Sequence, residues 1–147
     1  MWPPASEPSL RAWAEEQAAK RPEGDEFRLQ IETVGGDLVG TINSNRCDRR
    51  NGHFSYGIYV QRESWGNGYA TEAIVPFLRY FFGELRYQKV TVNVYAYNER
   101  SIALHRKLGF VEEGRLRSME FHGGRYHEEL YFGMLADEFW ERFGRSG

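Results

Sequence analysis

One cysteine, Cys47, stands in 147 residues. A single thiol excludes an intramolecular disulfide framework and fits a reducing compartment. Cys47 reads as a bystander rather than a nucleophile. No apolar run approaches the roughly 20 residues that span a bilayer. Met1-Trp2-Pro3-Pro4 lacks the basic start and apolar core of a signal peptide. The expected location is the cytoplasm, with no membrane partner. A formal charge of −2 argues against a nucleic-acid partner. There is no internal repeat and no low-complexity linker. His53, His122 and His127 show no metal-ligand spacing with Cys47, so no metal is expected. No Lys-Ser or Lys-Thr pair follows Gly66-Asn67-Gly68, which excludes a Walker-type NTPase.

What is present is apolar and aromatic. A hydrophobic fraction of 41% with 16% aromatics supports one packed domain over 1–147. Residues 1–8 hold three prolines and are expected to be extended or disordered, and Ser9 to Lys20 reads as a short helix stopped by Pro22 and Gly24. Phe27 to Val34 alternates as a strand, Gly35-Gly36-Asp37 is a hairpin turn, and Leu38 to Asn43 returns. Asn45 to Gly52 is polar and is expected to loop into a third strand. A long helix is expected over Tyr69 to Leu85, bent near Glu72 to Pro76 because Pro76 removes a backbone donor. Lys89 to Tyr95 is a strand with Val90, Val92 and Val94 on one face. Val111 to Phe121 and Arg125 to Leu135 pair across His122-Gly123-Gly124, and Phe139, Trp140 and Phe143 make an amphipathic tail.

The segment from Tyr56 to Ala73 carries the chemistry. Phe54, Tyr56, Ile58 and Val60 alternate with polar or small residues, the signature of a strand. Ala70, Ala73, Ile74, Phe77, Leu78 and Phe81 follow helical spacing. Gly66 and Gly68 lie between and permit tight backbone geometry. Free N–H groups of a first helical turn, with the helix dipole behind them, make a cradle for a phosphate or pyrophosphate. Glycines at such a junction are also ordinary turn residues, and a second motif decides between the readings. It runs Asn98-Glu99-Arg100-Ser101-Ile102-Ala103-Leu104-His105-Arg106-Lys107-Leu108-Gly109-Phe110. Asn98 is its N-cap and Gly109 its stop.

Together, in this order and about thirty residues apart, the two motifs resemble the Gcn5-related N-acetyltransferase (GNAT) family. The wording from Trp65 to Ala73, and from Asn98 to Ile102 followed by Lys107-Leu108-Gly109-Phe110, is similar to its ribosomal-protein-alanine and spermidine acetyltransferase branch. The resemblance covers about residues 27–136, taken as the core, with 1–26 as a partial N-terminal helical region. It implies an α+β acyl-CoA N-acyltransferase fold: a mixed, mostly antiparallel central sheet with flanking helices and a parallel splayed strand pair that admits the pantetheine arm. The family usually places a strand and two helices ahead of the strand at Phe27, so this chain reads as N-terminally short. A misassigned start, a natural short form and completion by a partner subunit stay open.

The resemblance also implies roles. The cofactor is acetyl-CoA. Backbone N–H groups of Trp65, Gly66, Asn67, Gly68, Tyr69 and Ala70 would hold its pyrophosphate, with Thr71 adding a hydroxyl and Arg62 a guanidinium. The strand edge at Ile58, Tyr59 and Val60 would pair with the pantetheine amides, and Asn98 would hydrogen-bond the same arm. Many members carry a tyrosine acid where this chain has His105. That histidine is the candidate proton donor to the leaving thiolate, or else a packed helix residue. Ser101 is a second donor. One ribosomal branch has a glutamate base at the position of Asn93, whose amide cannot act as a base but can orient the amine or a water. Glu72, Glu128 and Glu129 remain as carboxylates and read as surface charges. Glu63 departs from the family's usual Gln or Arg, and Gln61 and Arg62 stand beside it to compensate.

The expected function is N-acetyl transfer to a primary amine, namely a protein N-terminus, a polyamine or a small amine. The alternative is a non-catalytic acyl-CoA-binding module or sensor, which Asn93 and the short N-terminus favour. A homodimer is expected through the late strands or the N-terminal gap.

Overall fold

The computed structural model describes residues 24–145. The expected N-terminal extended segment and the helix at Ser9 to Lys20 lie outside the described residues. The chain divides into two compact units between Tyr87 and Gln88.

The first unit opens with an antiparallel meander. β1 (Arg28–Glu32) pairs β2 (Leu38–Asp48), which pairs β3 (His53–Val60). The β1–β2 turn closes where expected: the Gly36 N–H donates to the Thr33 carbonyl at 2.9 Å and the Asp37 N–H to the Thr33 hydroxyl at 3.1 Å. The second turn is shorter than the sequence implies. Asn45 to Asp48 continue β2 instead of looping, opposite Ser55 and His53, with an irregularity at Arg46, whose φ is 50°. Strand pairing is satisfied by the backbone, so polar side chains do not prevent it. Asp48 then ties the tip by accepting from the Asn51 N–H at 3.1 Å.

After β3 come a 3-10 turn (Arg62–Ser64) and the helix α1 (Tyr69–Arg79), which contains Pro76. The expected single helix to Leu85 is instead two pieces, because Tyr80–Glu84 follows as a π-helical turn. The hydrogen-bond irregularity therefore lies beyond the proline, where Leu85 N–H reaches the Tyr80 carbonyl at 3.1 Å. Aromatic rings anchor this helix. Phe81 stacks on Phe54 with centroids 4.3 Å apart and on Phe27 at 5.8 Å, and Phe77 lies 4.9 Å from Phe81. Phe54, Phe77, Phe81, Ile42 and Ile74 are essentially inaccessible. Each such side chain contributes about 1.5–3 kcal/mol by burial. The consequence for function is positional: the core fixes α1, and α1 fixes where its N-terminus opens.

The second unit is a three-stranded antiparallel sheet with two helices. β4 (Lys89–Tyr95) pairs β6 (Arg125–Leu135), which pairs β5 (Val111–His122). Gly123 and Gly124 have φ of 63° and 83°, the pair of positive values a two-residue hairpin turn needs. α2 (Glu99–Leu108) and α3 (Ala136–Phe143) fall where the sequence places them. One face of the sheet is apolar, with Val90, Val92 and Val94 opposite Met134, Phe132 and Leu130, all buried. The other face pairs Asn93 with Tyr131 and Tyr95 with Glu129.

Candidate active site

The strand-to-helix junction is held by side chains that leave its backbone open. Gln61 N–H donates to the Val39 carbonyl at 2.8 Å, ending the pairing with β2. Its amide then reaches the Ser64 hydroxyl at 3.0 Å. The Trp65 indole turns back to the Val60 carbonyl at 2.8 Å, and the Asn67 amide bonds the Ser64 carbonyl at 3.0 Å. Gly66 and Gly68 have φ of 84° and 77°, and a Cβ on either would meet nothing within 4 Å. Among the described residues, nothing fills the space above them.

The first helical bond here runs from the Glu72 N–H to the Gly68 carbonyl at 3.0 Å. The N–H groups of Gly66, Asn67, Gly68, Tyr69, Ala70 and Thr71 have no acceptor among the described residues. This is the row a pyrophosphate requires, and the residues fit one. Trp65 departs from expectation. Its N–H is taken by the Arg62 carbonyl at 3.1 Å, so the row begins one residue later and Trp65 serves as a latch. Arg62 is exposed, lies 5.6 Å over the Trp65 ring and has no carboxylate partner among the described residues, which leaves its charge available beside the row. Glu63 is exposed in the 3-10 turn. Glu72, in the first turn of α1, has its carboxyl pKa raised by burial.

Register sorts the three strand-edge candidates. Because Gln61 bonds to β2, Tyr59 two residues earlier directs its backbone groups to β2, opposite Thr41. Ile58 and Val60 direct theirs to the other side of β3. Tyr59 offers instead an exposed ring.

In the second unit, Asn98 is exposed and caps α2, its side-chain oxygen accepting from the Ser101 N–H at 3.2 Å. That use leaves the Asn98 amide N–H groups for a ligand. His105 is buried, stands edge-on to Phe110 at 5.0 Å, and has Nδ1 2.8 Å from the Ser101 carbonyl. A carbonyl only accepts, so the imidazole proton sits on Nδ1. Burial lowers the His105 pKa, and the neutral ring keeps that one proton. The arrangement suits the packed-helix role better than the acid role. The Ser101 hydroxyl, 3.4 Å from the same nitrogen, is less committed.

Asn93 is exposed and donates to Glu129 Oε2 at 2.8 Å, and the Tyr131 hydroxyl donates to Glu129 Oε1 at 3.1 Å. The reading of Glu129 as a surface charge is corrected: the residue is 6% exposed. Its neighbour Glu128 is a surface charge, paired with Arg115 at 3.0 Å. Only strand register distinguishes the two glutamates, and sequence alone does not supply that register. The Trp65 latch escaped the sequence for a similar reason, since nothing local marks an indole that bonds five residues back.

Residues 1–111 match the family model of the acetyltransferase (GNAT) domain, a match that runs through the boundary between the two units. An uncharacterized N-acetyltransferase derived from the SPbeta prophage of Bacillus subtilis is 45% identical over 136 residues, 92% of this chain and 75% of the relative. The spermidine N(1)-acetyltransferase of Vibrio cholerae is 27% identical over 117 residues, 80% of this chain and 68% of the relative. A crystal structure of spermidine N-acetyltransferase from Vibrio cholerae, in complex with CoA and spermine, superposes with a TM-score of 0.75 at 27% identity, covering 85% of this chain and 75% of that one. The expected acyl-CoA N-acyltransferase fold and α+β class are borne out.

Proposed function

Since the chain belongs to the acetyltransferase (GNAT) domain family, it is an N-acetyltransferase that draws on acetyl-CoA and acts on an amine, and we propose that its acceptor is a primary amine of the polyamine class. One observation carries the cofactor half: the N–H groups from Gly66 to Thr71 at the start of α1, which have no acceptor among the described residues, beside two glycines with no described atom within 4 Å of a Cβ position. The acceptor half rests on the polar face of β4–β6, where Glu129 and the tyrosines Tyr95 and Tyr131 offer a negative charge and aromatic rings to a cation. The spermidine acetyltransferases among the relatives support the same class. Protein N-termini and small amines are the competing acceptors.

Roles follow unit by unit. Bound acetyl-CoA supplies an activated acetyl thioester. The Gly66–Thr71 N–H groups hold its diphosphate, and Arg62 adds charge. Ile58, with its N–H and carbonyl, and Val60, with its N–H, serve the pantetheine amides, the Val60 carbonyl being held by the Trp65 indole, and Asn98 provides amide donors. Ser101 is assigned to protonate the leaving thiolate, and His105 to hold Ser101 and the first turns of α2 in place. Asn93 orients the amine side. The whole chain, 1–147, works as one catalytic domain. We assign it to the cytoplasm, supported by its free Cys47, and to a homodimer, supported by the exposed apolar residues Met119, Phe121 and Tyr126 on the β5–β6 hairpin. No helix among the described residues is long and apolar enough to cross a membrane.

The test is thiol release from acetyl-CoA with spermidine, a peptide bearing a free N-terminus and a small monoamine as acceptors. Turnover is expected with all primary amines that bind and fastest with spermidine. Thiol release with the peptide alone would replace the polyamine assignment, and none with any amine would leave a binding module.

A further inference from the structure

Acetyl transfer to an amine carries a proton problem that the cofactor cradle does not solve. A primary amine arrives as an ammonium at neutral pH, and its nitrogen has no lone pair until a proton leaves. Glu129 is the one acidic side chain that is buried among the described residues. A buried carboxylate ordinarily has a cation beside it. Glu129 has none among the described residues: its partners are the Asn93 amide at 2.8 Å and the Tyr131 hydroxyl at 3.1 Å, both neutral. These two bonds fix the carboxylate while leaving each oxygen a further acceptor site. Tyr95, directly opposite Glu129 across the strand pair, stacks with Tyr97 at 6.0 Å, so flat ring faces lie beside the charge. Glu120 adds a second negative charge nearby, accepting from the Tyr97 hydroxyl and holding the Tyr95 hydroxyl pKa above its ordinary range.

We propose that Glu129 receives the acceptor's primary ammonium and is the base that takes its proton, with Asn93 and Tyr131 as its positioning residues. The inference rests on the amine-acetyltransferase reading above. One N–H bond of the ammonium breaks, and its proton joins a Glu129 oxygen. The freed lone pair forms the N–C bond to the acetyl carbonyl carbon as the C–S bond breaks, and the sulfur keeps that pair. The second proton lost by the nitrogen ends on the thiolate, giving the thiol, and Glu129 returns its own proton to water. Asn93, which cannot be a base, thus contributes by holding one.

The experiment compares wild type with Glu129→Gln and Glu129→Asp. Glutamine keeps the shape, and the Tyr131 hydroxyl can turn to accept from it. Acetyl-CoA binding is measured by calorimetry, and turnover is measured with spermidine and with a fluorinated ethylamine that is mostly neutral at the assay pH. Glu129→Gln is expected to bind acetyl-CoA within about twofold of wild type, yet to lose about 10²-fold in kcat/KM with spermidine, the usual scale of general-base catalysis. The loss with the weakly basic amine is expected to be much smaller, because that amine arrives deprotonated. Glu129→Asp is expected to retain more spermidine turnover than Glu129→Gln. Equal losses on the two amines would make Glu129 structural and overturn the inference. So would full activity in Glu129→Gln, or aspartate no better than glutamine. A wild type that binds acetyl-CoA but acetylates no amine would overturn the parent reading, and the inference with it.

Discussion

The Trp65 indole donates to the Val60 carbonyl at 2.8 Å, tying the first residue past the 3-10 turn to the last residue of β3. The bond spans the bend from which the N–H row emerges. A neutral hydrogen bond of this kind contributes about 1 kcal/mol. Trp65→Phe keeps an aromatic ring under Arg62 but deletes the donor. We expect acetyl-CoA affinity to fall about fivefold, with a small change in melting temperature, as read by calorimetry and thermal denaturation.

Gly40 stands where β2 meets the end of β3. A Cβ there would lie 2.0 Å from the Tyr59 carbonyl oxygen and 3.0 Å from Val60 Cα, both backbone atoms that cannot swing aside. Gly40→Ala must push the strands apart next to the cradle. Overpacking of this kind costs about 1–3 kcal/mol. In a chain of this size that lowers the melting temperature by roughly 2–4 °C per kcal/mol. Gly66→Ala meets no atom within 4 Å and is expected to cost only its backbone strain at φ 84°, about 1–2 kcal/mol.

Much of this site can be read from the chain before any coordinates. Gly66 and Gly68 at a strand-to-helix change mark the cradle, and Asn98 with Gly109 marks the ends of α2, because turns and caps depend on local chemistry. What the chain hides is long-range register. Whether Glu128 or Glu129 faces the polar side depends on which residue of β4 lies opposite, and Tyr95 opposite Glu129 settles it. The bend expected around Pro76 illustrates another limit. The missing N–H is legible, but packing of Tyr80, Phe81 and Phe82 into the core places the irregular turn further on.

His105 gives a pH-dependent prediction. Burial lowers its pKa in the folded protein, so the unfolded chain binds the proton more readily. The associated stability is complete above the unfolded histidine value of about 6.5. It is lost as pH falls through the folded pKa. His105→Leu removes this linkage. Wild type is expected to lose melting temperature between pH 7 and pH 5 more steeply than the variant, and parallel profiles would show that His105 is not the group responsible. If Ser101 is the acid, His105→Leu also retains more turnover than Ser101→Ala.

Asn98 separates two roles in one side chain. Its oxygen caps α2, and its amide N–H groups are assigned to the cofactor. Asn98→Ala removes both and is expected to cost about 1 kcal/mol of stability through the cap. Asn98→Asp keeps the capping oxygen and deletes the amide donors. It should melt close to wild type while binding acetyl-CoA more weakly. Unchanged affinity in a folded Asn98→Asp would restrict Asn98 to capping.

The most direct test of the account is calorimetric titration of the protein with acetyl-CoA, repeated on a Gly66→Asp/Gly68→Asp variant whose folding is checked by circular dichroism. The substitutions set two carboxylates over the N–H row and strain its positive-φ backbone. Micromolar binding by wild type and its loss in the folded variant are the expected results. Binding that survives in that variant, or no binding by the folded wild type, would contradict the account.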